Sequence, residues 1–236
     1  MRYSVFLFLC AVALLLHIET AVSGASIAFS EDEQLLHFRS TEEQRESAAW
    51  LQVAIRDAAA ACNLSLQRLD AVCVSAGPGS YTGLRVGMAS AKGLCYALQK
   101  PLIALPTLQI MAASAASTAQ GILCPMIDAR RMEVFAALYN GQLQELSPAQ
   151  SVVLDESSFA EQLAAGPVTF FGNGSVKWLE LCQHPNAHFV TEGAASAQAM
   201  PALGAEAYRK AQFADLAYCE PLYAKEFYTT MQPKSK

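Results

Sequence analysis

The sequence is short of charge, and what positive charge it has is not concentrated. Only 16% of its 236 residues are Asp, Glu, Lys or Arg, the formal net charge is −5, and there is no lysine or arginine cluster. An acidic chain without a basic patch lacks the electrostatic footprint of a stand-alone nucleic-acid binder; any RNA it serves would be held by a partner. A disulfide or zinc framework is missing too: the seven cysteines, at 10, 62, 73, 95, 124, 182 and 219, are scattered singly, odd in number and without a C-x-x-C pair. That pattern favours buried free thiols in a reducing compartment. No G-x-x-x-x-G-K-[ST] loop occurs, which removes the P-loop route to a nucleotide.

Hydrophobic residues are abundant at 53%, enough for one large or two small cores. One stretch organises them. Residues 72–99 begin Val-Cys-Val-Ser-Ala-Gly-Pro-Gly-Ser-Tyr-Thr-Gly-Leu-Arg and continue as a helical pattern to Gln99. Ala71 to Val74 read as a short buried strand, Gly77-Pro78-Gly79 breaks it, and Ser80 or Thr82 can cap the helix that follows. Gly77, Gly79 and Gly83 give G-x-G-x-x-x-G, one residue longer than the dinucleotide fingerprint, and the next strand, Pro101 to Leu105, ends without an acid for a ribose. Gly83, Gly87, Ser90, Ala91 and Leu94 form a small-residue stripe that lets the helix sit close to a sheet or another helix. Arg85, Lys92, Tyr96 and Gln99 fall on the opposite side, which suits either a partner surface or a solvated face.

Ser-Ala-Gly-Pro-Gly-Ser-Tyr-Thr-Gly-Leu-Arg-Val-Gly (75–87), then Ala-Lys-Gly-Leu (91–94) and Pro-Thr-Leu (106–108), resembles the TsaB (YeaZ) family, whose usual motif is G-P-G-S-[FY]-T-G-[LVI]-R-[IV]-G. Asp128-Ala129-Arg130 with Glu133-Val134-Phe135 is similar to the family's D-A-R-x-x-E-V-[YF], Gly172-Asn173-Gly174 to its G-N-G turn, and 221–227 to its C-terminal segment. The resemblance runs from about Leu14 to about Thr230. Where the family commonly has His-Ser near the start of its first long helix, this chain has Glu46-Ser47.

The resemblance implies a non-catalytic scaffold or activator subunit in the synthesis of threonylcarbamoyladenosine in tRNA. Its partner would be TsaD, which transfers threonylcarbamoyl to the adenosine beside the anticodon, with the ATPase TsaE assisting and tRNA reached only through the complex. It implies no cofactor on this chain alone, ATP and Mg used by the complex, no metal, no membrane, and a possible homodimer in isolation. Family contacts run largely through the first two helices, so 42–62 and 82–99 are the expected interface. Trp50, Gly83, Arg85, Gly87, Met88, Lys92 and Tyr96 are its expected members, and Gly77, Pro78, Gly79, Ser80, Tyr81 and Thr82 the motif turn before it.

Met1-Arg2 and the apolar run Val5 to Leu16 imitate a signal peptide, yet Leu14 to Thr20 resembles the family's first strand and its D-T-S loop. The preferred reading makes residues 1–12 a leader or over-early start on a cytoplasmic domain, too short before His17 and Glu19 to span a membrane. Leu14–Glu19, Gly24–Ser30 and Gln34–Arg39 read as strands, and Ser40 with Glu43 as a capping box opening a helix whose face carries Leu51, Ile55, Ala58 and Cys62. The order β-β-β-α-β-α-β is that of the ribonuclease-H-like half-unit of actin, sugar kinases and heat-shock ATPases. From Gly121 the pattern restarts: strands at Ile122–Ile127, Glu133–Tyr139 and Val168–Phe171, an Asn140-Gly141 hairpin turn, and helices at Asp155–Ala165, Ser175–Cys182 and Ala195–Ala211, the last interrupted near Pro201. The expected fold is α/β, two tandem ribonuclease-H-like domains, 13–118 and a reduced 119–236, joined by the Ala-rich helix Thr107–Thr118.

ATPases of that fold hold a metal with an acid at the end of each half's first strand; the equivalents here are Glu19 and Asp128. Glu at 19 is a methylene longer than the usual Asp, and Asp128 with Arg130 also suits a local turn or an ion pair. A small-molecule kinase or ATPase using these two acids is the alternative to the scaffold reading, and a metallopeptidase a third. His184 and His188 have i,i+4 spacing, but Pro185 and Asn186 make a turn there, and His17 reads as a packed strand residue.

Overall fold

The structure, a computed structural model, describes residues 12–42, 47–190 and 193–223. The expected leader, apart from Val12, the Glu43 arm of the capping box, Glu46 and the closing 224–230 lie outside the described residues.

Strand β1 (Leu14–Glu19) is buried at all six positions, as a strand covered on both faces must be. It pairs antiparallel with β2 (Ala25–Glu31), and β2 pairs antiparallel with β3 (Gln34–Thr41). After helix α1 (Ser47–Ala61), β4 (Ala71–Ser75) returns parallel to β1. Helix α2 (Tyr81–Leu98) then leads to β5 (Leu102–Leu105), parallel to β4, so the sheet order is β3-β2-β1-β4-β5. Helix α3 (Thr107–Ala115) joins this sheet to a second with the same plan. There, β6 (Ile122–Asp128), β7 (Glu133–Tyr139) and β8 (Glu145–Val153) are antiparallel neighbours. Past α4 (Ala160–Ala165), β9 (Val168–Phe171) lies parallel to β6. Past α5 (Ser175–Leu181), β10 (Ala187–Phe189) lies parallel to β9, giving β10-β9-β6-β7-β8. This is the α/β, ribonuclease-H-like order repeated.

The chain is layered around three cores. On the outer face of the first sheet, Leu16, Ile18, Val72 and Val74 meet Leu51, Ile55 and Ala58 of α1 and Met88, Ala91 and Cys95 of α2. Phe170 and Val168 of the second sheet meet Trp178 and Leu163 from α5 and α4. Between the sheets lies a shared core of Leu15, Ile103, Leu123, Ile127, Phe135 and Phe171 with α3 and α6 (Pro201–Arg209).

Several expectations need correction. The helix expected over Asp155–Ala165 forms only at Ala160–Ala165, because the Asp155 carboxylate caps a turn by accepting from Ser157 N at 2.9 Å and Ser157 Oγ at 2.7 Å. Strand β8, absent from the sequence reading, alternates exposed and half-buried residues and belongs to a sheet edge, where the apolar signal is weak. The interruption expected near Pro201 is present, but what precedes it is only a 3-10 turn at Ala197–Ala199, and the helix proper runs Pro201–Arg209, since proline suits a first turn but breaks an interior. Of the residues beyond the expected 118/119 boundary, α6 packs on β1 and β4, and residues 213–223 run along α2 and the β5 edge. Gly204 brings α6 so close to β1 and β4 that a Cβ there would meet His17 Cε1 and Cys73 Sγ. Ala214 N donates to Leu102 O at 2.8 Å.

Candidate functional site

The organising turn is wired into the chain. Ser80 caps α2, its Oγ accepting from Gly83 N at 3.3 Å. Ser80 N donates to Ala21 O at 2.6 Å, Gly77 N to Thr107 Oγ1 at 3.0 Å, and Thr20 Oγ1 to Gly83 O at 2.7 Å. The Gly77 and Ser80 amides of the turn are thus taken up within the chain. Gly79, Gly83 and Gly87 let α2 ride directly on the β1–β2 turn: a Cβ at Gly83 would overlap Thr20 O, and one at Gly87 would overlap Thr20 Oγ1. Gly83, Gly87 and Met88, expected on the partner face, are therefore buried against the chain's own first sheet. Trp50 is half-buried beside the outer core, and Tyr81, Thr82, Arg85 and Tyr96 are exposed.

The outer face of α2 carries a strap made by residues 213–223. Lys92 Nζ donates to Ala217 O at 3.3 Å and Cys219 O at 3.1 Å, and Arg85 Nε to Tyr223 Oη at 3.1 Å. The Arg85 guanidinium also sits 4.1 Å over the Tyr81 ring, whose centroid lies 5.2 Å from that of Tyr223. Leu222 N donates to Ala76 O at 2.7 Å, fixing the strap to the motif turn. Sequence reading placed Arg85 and Lys92 on this face, but the strap that engages them lies some 125 residues away along the chain and left no local signal.

The two strand-end acids have opposite surroundings. Glu19 is fully buried; its carboxyl accepts from Ala21 N at 2.6 Å, from Val22 N and from the Ser75 hydroxyl, and burial pushes its pKa up to about 8 despite those bonds. Asp128 is exposed. Lys177 Nζ, 2.6 Å from Oδ1, holds its carboxyl below the usual range, helped by Arg130 N at 2.6 Å, and its own amide donates to Asn173 Oδ1 of the G-N-G turn at 2.9 Å. The sequence reading missed Lys177, although it is the one cation of the helix that follows that turn. Magnesium takes ionised oxygens in an open octahedral shell with its waters. A carboxyl sealed among the chain's own donors and another paired with a lysine do not fit a magnesium–nucleotide site. His184 Nδ1 accepts from Asn186 N at 3.2 Å in a turn, while His188 lies in β10. His17 is buried with Nε2 2.8 Å from Ser30 Oγ, as a packed strand residue.

A cleft of about 490 Å³ opens where the β1–β2 turn faces α5, between Val22, Ser23, Met111, Asn173, Val176 and Val190. Neither Glu19 nor Asp128 lines it. Among the described residues no helix is long and apolar enough to cross a membrane, and all six described cysteines are free thiols.

Comparison with known proteins returns a family profile described as "TsaD: tRNA N6-adenosine threonylcarbamoyltransferase", matched by residues 40–224. The chain is 36% identical over 115 residues to the tRNA threonylcarbamoyladenosine biosynthesis protein TsaB of Bacillus subtilis, covering 48% of this chain and 50% of that protein. It is 34% identical over 128 residues to TsaB of Escherichia coli, covering 53% of this chain and 54% of that one. The matched stretches thus span about half the length of these curated relatives. Its fold matches a Pseudomonas aeruginosa crystal structure described as similar to peptidase YEAZ, with a TM-score of 0.81 and 24% identity over 90% of this chain and 100% of that one.

Proposed function

This chain belongs to the TsaB/YeaZ family, and from that premise we propose that it is a non-catalytic subunit in the synthesis of threonylcarbamoyladenosine in tRNA, stabilising or activating a TsaD-type transferase. The observation that carries the non-catalytic part is the state of the two strand-end acids. Glu19 is buried in hydrogen bonds from its own sheet and Asp128 is held by Lys177, so the nucleotide-handling fold is present without a usable acid pair. The net charge of −5 agrees: tRNA is bound by the partner, with this chain acting through protein contact. ATP and Mg are then requirements of the complex, through its TsaE-type ATPase, and the setting is cytoplasmic. The experiment is reconstitution of threonylcarbamoyl transfer to tRNA with TsaD- and TsaE-type subunits, with and without this chain. Transfer that requires the chain, while the chain alone hydrolyses no ATP, supports the proposal; transfer at the same rate without it rejects the proposal.

A further inference from the structure

Helix α5 sends its side chains in three directions. Trp178 packs into the outer core of the second sheet, Lys177 turns to Asp128, and Val176 and Leu179, 60% and 54% exposed, both line the cleft. Residues three apart share a helix face, and a surface helix ordinarily keeps its outward face polar. The opposite wall is Val22 and Ser23 of the β1–β2 turn, and Met111 of α3, itself fully buried, lies at the base. The cleft is therefore walled by both halves of the chain. Its volume of about 490 Å³ falls within the range of about 300–1,000 Å³ usual for small-molecule pockets. Among the described residues its lining holds no ionisable side chain, so a charged group entering it would lose water without gaining a counter-ion. Two polar groups remain. Asn173 Oδ1 accepts from Asp128 N at 2.9 Å, which fixes the carboxamide and leaves Nδ2 as the donor at the cleft. Neither Nδ2 nor the Ser23 hydroxyl has a hydrogen-bond partner among the described residues.

We propose that this cleft binds an uncharged, mainly apolar small molecule whose carbonyl oxygen accepts a hydrogen bond from Asn173 Nδ2. Val176 and Leu179 supply one wall of contact and Val22 the other, so the ligand is gripped by both halves at once. Glu19, Asp128 and helix α2 all lie outside the lining, and the site is independent of the proposed subunit role.

Fluorescence titration of the full chain with 6-propionyl-2-(dimethylamino)naphthalene, an uncharged ring system carrying one ketone, tests this. Saturable binding with blue-shifted emission is expected, and anilinonaphthalene sulfonate, of similar size but anionic, should bind at least about tenfold more weakly. Val176→Asp puts a charge on the wall and is expected to weaken the ketone probe at least about tenfold with an unchanged melting curve, the residue being exposed already. Leu179→Asp is the second variant should the first unfold. Asn173→Leu makes the cleft more apolar but removes the donor, and is expected to weaken the ketone probe at least about threefold. No saturable binding, a sulfonate bound as tightly as the ketone, wild-type affinity in both aspartate variants, or equal or tighter binding in Asn173→Leu each overturns the inference. Displacement of the probe by the purified TsaD-type subunit assigns the cleft to a protein surface and also overturns it. The subunit reading stands in every case, because it makes no use of the cleft.

Discussion

The first sheet is covered on its outer face by helices of 15 and 18 residues, the second by helices of 6 and 7, although both sheets run three antiparallel strands into two parallel ones. Helix coverage, not strand order, decides what becomes of the acid at the end of each central strand. Under α2, drawn in by Gly83 and Gly87, the β1–β2 turn is sealed and Glu19 is dry. Beside the single short helix α5, Asp128 stays in water and is matched by a lysine. The same topology thus yields two different acids, one dry and hydrogen-bonded and one wet and ion-paired, neither fitting a magnesium site.

The sharpest way to break the comparison is to push α2 off the first sheet. Gly83→Ala forces a Cβ into Thr20 O and is expected to lower unfolding free energy in urea by about 3 kcal/mol or more. Gly93→Ala, on the same helix with nothing within 4 Å, should instead gain about 0.5–1 kcal/mol from helix propensity. Equal effects at the two glycines would show that close approach to the sheet is not what Gly83 serves.

The dry acid has a pH signature. With Glu19 at about 8 in the fold against 4.5 unfolded, the unfolded chain releases its proton first, so stability falls as pH rises from about 4.5 to 8. His17 has the reverse sign: burial lowers it to about 3 from 6.5, so stability falls as pH drops from about 6.5 to 3. Between pH 4.5 and 6.5 the two slopes oppose each other, and each has a limit of about 1.4 kcal/mol per pH unit. Melting temperature is expected to be flat there and to decline on both sides. Glu19→Gln should remove the decline between pH 6.5 and 8 and, with nothing left to oppose His17, extend the acid-side fall upward from about pH 4.5 to about 6.5; a decline above pH 6.5 that survives the substitution would mean that Glu19 is not its source.

The wet acid should matter least. Lys177→Ala removes an ion pair whose carboxylate is 41% exposed, and a loss of roughly 0.5 kcal/mol is expected, smaller in high salt. A loss several times larger would make Asp128 a structural keystone of the second sheet and erase the contrast with Glu19.

Much of this was legible in the sequence because it is local. Strand β1, the strand–glycine–helix unit at 71–98 and the Ser80 cap depend on neighbours a few residues apart, so periodicity and turn chemistry expose them. The small-residue stripe correctly implied close packing of α2, and Gly83, Gly87 and Met88 are buried within this chain. What stayed invisible depends on distant chain: the strap on Lys92 and Arg85, the Lys177 partner of Asp128, and the return of α6 to the first sheet. Edge strand β8 escaped because half-exposed residues carry little apolar signal.

The central claim is the proposed one, that this chain serves as a subunit and not through its strand-end acids. One reconstituted threonylcarbamoyl-transfer assay, run side by side with the wild-type chain, with Asp128→Ala and with no chain, tests it most directly. The account predicts that transfer stays within about twofold of wild type for the acid variant and falls at least about tenfold when the chain is left out. Transfer lost with Asp128→Ala to the level seen without the chain would contradict it.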